Sequence, residues 1–120
     1  MQEIFSQSVG QTLSAVERIQ SYLRSSSIVL FMKGSPAAPQ CGFSAHVVSA
    51  LRECRAAFTQ VDVLDDPDLR RALKSYSNWP TIPQLYIDGE LVGGSDIVKD
   101  LFQRGDLLRM VEQTGALLTK

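Results

Sequence analysis

The order of helical and strand patterns predicts an α/β fold, a four-stranded mixed sheet flanked by helices. Three observations carry this prediction. A helix-period segment separates two short apolar runs, residues 28–32 and 59–64, which makes them parallel strands joined by a right-handed crossover. Two further runs, 81–87 and 90–92, are joined by Asp88-Gly89, a strong hairpin signal, so this pair is antiparallel. Hydrophobic residues make up 44% of 120 residues with no low-complexity stretch, enough for a real core, so one domain spanning 1–120 is expected.

The elements follow in order. Leu13, Val16, Ile19 and Leu23 recur at helical spacing and predict an opening amphipathic helix over 9–24, broken by Ser25-Ser26-Ser27. Residues 28–32, β-branched at their start, read as a buried strand, and a Gly/Pro-rich loop covers 34–40. The next helix runs from about 41 to 55, with Ser44, Val47, Val48, Leu51 and Cys54 as its inner stripe. After the second strand, Asp66-Pro67 places an N-cap before a proline at the first helical position, so a helix is predicted over 67–76. Beyond the hairpin, Ser95 is predicted to cap a helix over 96–103, which Gly105 ends, and a short terminal helix follows from Asp106. Helices then cover both faces of the sheet, a thioredoxin-like architecture.

Composition excludes several functions. The net charge of -1 lacks the basic footprint of a nucleic-acid binder. No apolar run approaches the roughly 20 residues of a membrane span. Residues 1–10 have neither a signal-peptide core nor the Arg-rich bias of a transit peptide, so a cytoplasmic protein is expected. Two cysteines make no disulfide scaffold, and in a reducing compartment they are catalytic, metal-binding or buried.

The two thiols separate by position. Cys41 stands at the start of a helix after a strand and loop, where free N–H groups and the helix dipole favour thiolate, the nucleophilic and metal-binding form. The run Cys41-Gly42-Phe43-Ser44 ends in a hydroxyl, so no disulfide can close across it. Cys54 shares the stripe of Val47 and Leu51 and reads as a small buried hydrophobe. Thirteen helical residues hold the two sulfurs roughly 20 Å apart, far beyond disulfide reach. His46 falls on the polar helix face beside Ser49 and Glu53 and reads as solvent-exposed.

Other candidates are weaker alone. A cis Ile82-Pro83 bond would turn the Ile82 backbone outward to pair with an extended peptide, but most X–Pro bonds are trans. Lys33 ends the first strand and Arg70 lies early in its helix; each alone reads as a solvated charge. Gly93-Gly94-Ser95-Asp96 is either an ordinary capped loop or a site where helix N–H groups bind a carboxylate and Asp96 an amine. Asp62, Asp65, Asp66 and Asp68 lack calcium-loop spacing and read as a cap with solvated surface.

Together these residues resemble a monothiol glutaredoxin of the CGFS type, in its short single-domain form. The resemblance runs through Met32-Lys33-Gly34-Ser35-Pro36, Cys41-Gly42-Phe43-Ser44, Asn78-Trp79-Pro80-Thr81, Pro83-Gln84-Leu85 and Asp88-Gly89-Glu90-Leu91-Val92-Gly93-Gly94, and Asp96-Ile97-Val98 extends it. It covers about residues 12–115. It implies that glutathione lies beside Cys41, with its glycine carboxylate on Lys33 and Arg70. Gly42 and Phe43 flank the thiol, and the backbone around Thr81, Ile82 and Pro83 pairs with the cysteinyl unit. Gly94, Ser95 and Asp96 then hold the γ-glutamyl end.

The resemblance further implies a 2Fe-2S cluster shared by two protomers, each giving Cys41, with two glutathione thiols completing the four ligands. Iron-sulfur acceptor proteins and a BolA-type protein are the implied partners besides glutathione and a second protomer. Many relatives carry cysteine where this chain has Ser95, which removes one disulfide option here. Two activities are therefore expected to compete. One is cluster carriage, favoured by the long loop between Lys33 and Cys41. The other is glutathione-dependent reduction of mixed disulfides, which needs only one cysteine and is expected at most as a weak side reaction of a protein that is primarily a carrier.

Overall fold

The strands pair as their spacing predicts. The computed structural model describes residues 14–118. Strand β1 (Ile28–Met32) runs parallel to β2 (Thr59–Asp62), with Val29 opposite Thr59. It runs antiparallel to β3 (Gln84–Ile87), which pairs antiparallel with β4 (Glu90–Gly93). The sheet order is β2-β1-β3-β4. The helices are α1 (Ala15–Ser25), α2 (Gly42–Glu53), α3 (Pro67–Ser77), α4 (Ser95–Gln103) and α5 (Asp106–Thr114).

The central strand divides the core. Successive side chains of a strand point to opposite faces. Ile28, Leu30 and Met32 accordingly join a cluster with Val47, Val48 and Leu51 of α2, Val98 of α4, and Leu107 and Val111 of α5. Val29 and Phe31 join Ile19 of α1, Leu69 and Leu73 of α3, and Tyr86 on the other face. All five β1 residues are buried, which explains their continuous apolar run. Phe31 packs edge-on against Tyr22 and Tyr86, at centroid distances of 6.2 and 5.5 Å.

Four predicted boundaries move, each for a local reason. In α1, Ser14 is extended and accepts the Glu17 N–H while Glu17 accepts the Ser14 N–H. This capping box starts the helix at Ala15 rather than at residue 9. Of the predicted stripe, Ile19 is buried and Val16 is 40% exposed; Leu13 lies outside the described residues. Strand β2 stops at Asp62 rather than at residue 64. The Asp62 carboxylate accepts the Leu64 N–H at 2.9 Å and turns the chain into a 3-10 turn, Val63–Asp65.

Strand β3 begins at Gln84 rather than at residue 81, after a cis Ile82-Pro83 bond. The buried Gln84 side chain donates to the carbonyls of Trp79 and Thr81, gathering residues 79–83 into a turn. Helix α4 is capped by Gly94, and Ser95 is its first residue instead of its cap. A Cβ at Gly94 would lie 3.2 Å from both the Pro83 carbonyl oxygen and Trp79 Nε1, so close backbone approach fixes glycine there.

The remaining predictions hold closely. Helix α2 starts one residue after its N-cap, Cys41, and its inner stripe of Ser44, Val47, Val48, Leu51 and Cys54 is buried. Helix α3 carries Pro67 at its first turn behind the Asp66 cap and ends on left-handed Asn78. Asp88 and Gly89 both have positive φ, as a two-residue hairpin of the primed type requires.

Candidate functional site

Sheet topology brings the candidate residues to one end. The C-terminal ends of the parallel strands β1 and β2, the start of antiparallel β3 and the end of β4 share that edge. Across it stand Asp62, then Lys33, then Pro83, then Gly94. Helix α2 starts here, and α3 follows from β2.

Cys41 caps α2 with its own sulfur. The Ser44 N–H donates to Cys41 Sγ at 3.3 Å, and Ser44 Oγ lies 3.3 Å from the same sulfur. The Lys33 N–H in turn donates to Ser44 Oγ at 3.1 Å. Partial burial pushes the Cys41 thiol up. Hydrogen bonds from the Ser44 side chain and backbone, one from the Phe43 backbone, and the Lys33 ammonium outweigh it, and the thiol ends below its ordinary value. Cys54 is the reverse: burial, then the carboxylates of Glu112 and Glu53, raise its thiol. Both cysteines are free, and Cys54 is 3% exposed against the partly open Cys41. His46 is exposed, as its position on the polar face predicts.

The loop between β1 and Cys41 is tied at both ends. The Gly34 N–H donates to Asp62 Oδ1 at 2.9 Å, and the Gln40 N–H donates to the Lys33 carbonyl at 2.8 Å. Gly34 has a φ of +90°, and a Cβ there would meet the Ala38 carbonyl at 2.6 Å. Asp62 is therefore a loop anchor as well as a turn cap, beyond its predicted role of cap and solvated surface.

A groove of about 590 Å³ opens beside the thiol. It is lined by Lys33, Phe43, Arg70, Thr81, Ile82, Pro83, Gly94, Ser95 and Asp96. Nine of the predicted site residues thus share one surface, while Cys41 and Gly42 adjoin it through Phe43 without lining it. Lys74, Trp79, Pro80 and Ile97 also line it and are not among the predicted site residues. Lys74 stands one helical turn from Arg70, a spacing the sequence displays. Trp79 and Ile97 lie within motifs that carry the resemblance, but nothing local shows that they line one groove, because it forms only when the 79–83 turn meets the start of α4.

The electrostatics of the groove divide by side. Lys33, Arg70 and Lys74 come from the β1–β2 side. On the β4 side, α4 begins without a side-chain cap, leaving its first N–H groups for another acceptor, with exposed Asp96 beside them. Trp79 Nε1–H is buried and has no hydrogen-bond partner among the described residues. Phe43, 61% exposed, sets an apolar surface next to the thiol. The arrangement can hold a short extended molecule with a carboxylate at each end and an amine near Asp96. Among the described residues no group of three His, Cys, Asp or Glu could hold a metal ion.

The family model for glutaredoxin matches residues 28–92. The chain is 50% identical over 103 residues to Glutaredoxin 4 of Escherichia coli K12, covering 86% of this chain and 90% of that protein. The solution structure of reduced poplar apo GrxS14 superposes with a TM-score of 0.74 at 45% identity, covering 85% of this chain and 94% of that one. A monomeric truncated mutant of Trypanosoma brucei 1-C-Grx1 gives a TM-score of 0.78 at 37% identity, covering 91% and 98%.

Proposed function

The chain belongs to the glutaredoxin family, in its monothiol branch, and from that premise we propose that it binds glutathione and carries a 2Fe-2S cluster between proteins. In this reading residues 1–120 form one glutaredoxin domain. Glutathione lies extended in the groove. Its glycine carboxylate meets Lys33 and Arg70, its cysteinyl unit pairs with the Ile82 backbone between Thr81 and Pro83, and its γ-glutamyl end meets Gly94, Ser95 and Asp96. The groove volume lies within the ~300–1,000 Å³ range of small-molecule sites.

One observation carries the cluster reading. Cys41 is a lone thiol whose ionisation is favoured by hydrogen bonds from Ser44 and Phe43, at the rim of a groove with room for a second, diffusible thiol. Four thiolates are the usual set for a 2Fe-2S cluster. Two protomers and two glutathiones supply four, with Gly42 and exposed Phe43 at the contact. The cluster is cargo: half its ligands belong to a small molecule, which favours hand-over to acceptor proteins. A BolA-type protein in place of one protomer fits the same open face. A reducing compartment such as the cytoplasm suits two free thiols.

Anaerobic reconstitution with iron, sulfide and glutathione tests this. The expected product is a visible-absorbing dimer that forms only with glutathione, and Cys41→Ser abolishes it. A colourless monomer from the unaltered protein sinks the proposal. The lowered Cys41 thiol also supports a second reading, a glutathione-dependent reductase of mixed disulfides. Steady-state turnover of a glutathione mixed disulfide at a rate like that of dithiol glutaredoxins would favour it over the carrier.

A further inference from the structure

A second, smaller groove runs between α2 and α4 and takes no part in the proposed glutathione chemistry. His46, Ser49 and Ala50 line it from α2, and Ser95, Lys99 and Phe102 from α4. Its volume is about 260 Å³, below the ~300–1,000 Å³ of small-molecule sites. It has room for one bulky side chain of a larger partner, as an anchor residue fills a pocket at a protein interface. Phe102, 38% exposed, offers that side chain an aromatic surface.

The groove is electrostatically one-sided. Lys99 lines it and no carboxylate does. Lys99 makes no ion pair among the described residues. Its acidic neighbours on α4 are engaged elsewhere. Asp100 pairs with Arg104 at 2.9 Å, and Asp96 meets the glutathione amine in the proposed binding mode. Exposed His46, Ser49 and Gln103 add hydrogen-bond donors without negative charge.

The two grooves adjoin, because Ser95 lines both. His46 and Ala50 bound the α2 wall of the second groove. At 1.5 Å per helical residue they lie about 8 and 14 Å from Cys41, the cap of the same helix. An extended segment covers such a distance in about three or four residues at ~3.3 Å each.

We propose that the α2–α4 groove docks an acidic segment of the protein partner, with one large apolar side chain between the helices and a carboxylate on Lys99. That anchor stands about three or four residues from the cysteine that the partner brings to Cys41. The charge on Lys99 steers the encounter and sets the register, and the apolar side chain holds it. The inference rests on Cys41 being the exchange point of the proposed function, and it names the chemistry of the acceptor that this chain meets there.

The experiment is calorimetry on the Cys41→Ser protein, which lacks the exchanging thiol. One ligand is glutathione alone. The second is a synthetic peptide with a glutathionylated cysteine, a short serine spacer, a phenylalanine and glutamates. The third is the same peptide with serines replacing the phenylalanine and glutamates. The acidic peptide should bind about tenfold more tightly than the serine peptide, the scale of one charge-assisted contact. Adding Lys99→Glu, or filling the groove with Ser49→Trp, should abolish that gain and leave the affinity for glutathione alone unchanged. Melting temperatures report that each variant is folded. Equal affinity for the two peptides overturns the proposal, as does a gain that survives Lys99→Glu. A Lys99→Glu variant that loses glutathione affinity to the same degree also overturns it, because Lys99 would then act through the first groove. Sedimentation showing a self-associated protein that Lys99→Glu makes monomeric gives this face to a second copy and overturns it too. Should glutathione not bind at all, the proposed function fails, and amide shifts on adding the acidic peptide without its glutathione decide the docking surface. Shifts centred on Ser49, Lys99 and Gln103 support it, and their absence overturns it.

Discussion

Tyr86 shows how one buried hydroxyl ties the sheet to the groove. It is 2% exposed, and its O–H donates to Gln84 Oε1 at 3.0 Å while Gln84 Nε2 holds the Trp79 and Thr81 carbonyls. Burial pushes the phenol up from 10.0 to about 12, opposed by a hydrogen bond with Ser77 and assisted by Tyr76. A raised folded value means the neutral form is the stable one. Its contribution is therefore complete below pH 10 and disappears as pH rises from 10 through 12, about 2–3 kcal/mol for a shift of this size. Denaturant melts across that range should show falling stability, and Tyr86→Phe should flatten the fall. At neutral pH the same substitution should cost about 1–3 kcal/mol, because Gln84 Oε1 loses its buried donor. A Phe variant with the unaltered alkaline limb would refute the assignment. At this scale Cys41 is legible in sequence, because its helix-start position and chemistry are local. Gln84 is not, since its partners are backbone carbonyls presented only after the turn has formed.

At the scale of elements, legibility follows the range of the interactions that define an end. Helix α3 and the Asp88-Gly89 hairpin are written in adjacent residues, a cap and a proline in one case and a positive-φ pair in the other. Strand β2 ends where Asp62 caps the Leu64 N–H, but the same carboxylate also holds Gly34, which is 28 residues away, and no local pattern encodes that second contact. The same contact makes a prediction about the loop before Cys41. Asp62→Ala removes the acceptor of two backbone N–H groups, Gly34 and Leu64, each at 2.9 Å. Loss of about 1–3 kcal/mol is expected in urea unfolding, with faster amide exchange at Gly34 and Leu64 than elsewhere. Asp62→Asn keeps one acceptor oxygen and should recover most of the loss. Equal exchange changes spread over the whole chain would mean that Asp62 supports the fold generally and does not anchor this loop.

The whole molecule makes a groove that no single segment contains. Lys33 leaves β1, Arg70 and Lys74 come from α3, residues 79–83 form the turn before β3, and Gly94 to Asp96 open α4. The motifs are visible in sequence one by one, but their convergence depends on the strand order β2-β1-β3-β4, which sets cations and helix start on opposite sides of Pro83. That division predicts how glutathione binds. Trp79 is the only tryptophan and lines the groove, so its fluorescence should report occupancy. Truncating the ligand to the N-methylamide of γ-glutamylcysteine keeps its peptide bonds and deletes only the terminal carboxylate that Arg70 and Lys33 are proposed to meet. Arg70→Ala deletes one partner from the protein side. Each change alone should weaken binding about tenfold, the scale of one charge-assisted contact. If the two groups meet, the truncated ligand loses little more on the Ala variant than on the unaltered protein, because the interaction is already gone. Multiplied losses, about a hundredfold in combination, would mean that Arg70 acts on another part of the ligand and that the extended orientation is wrong.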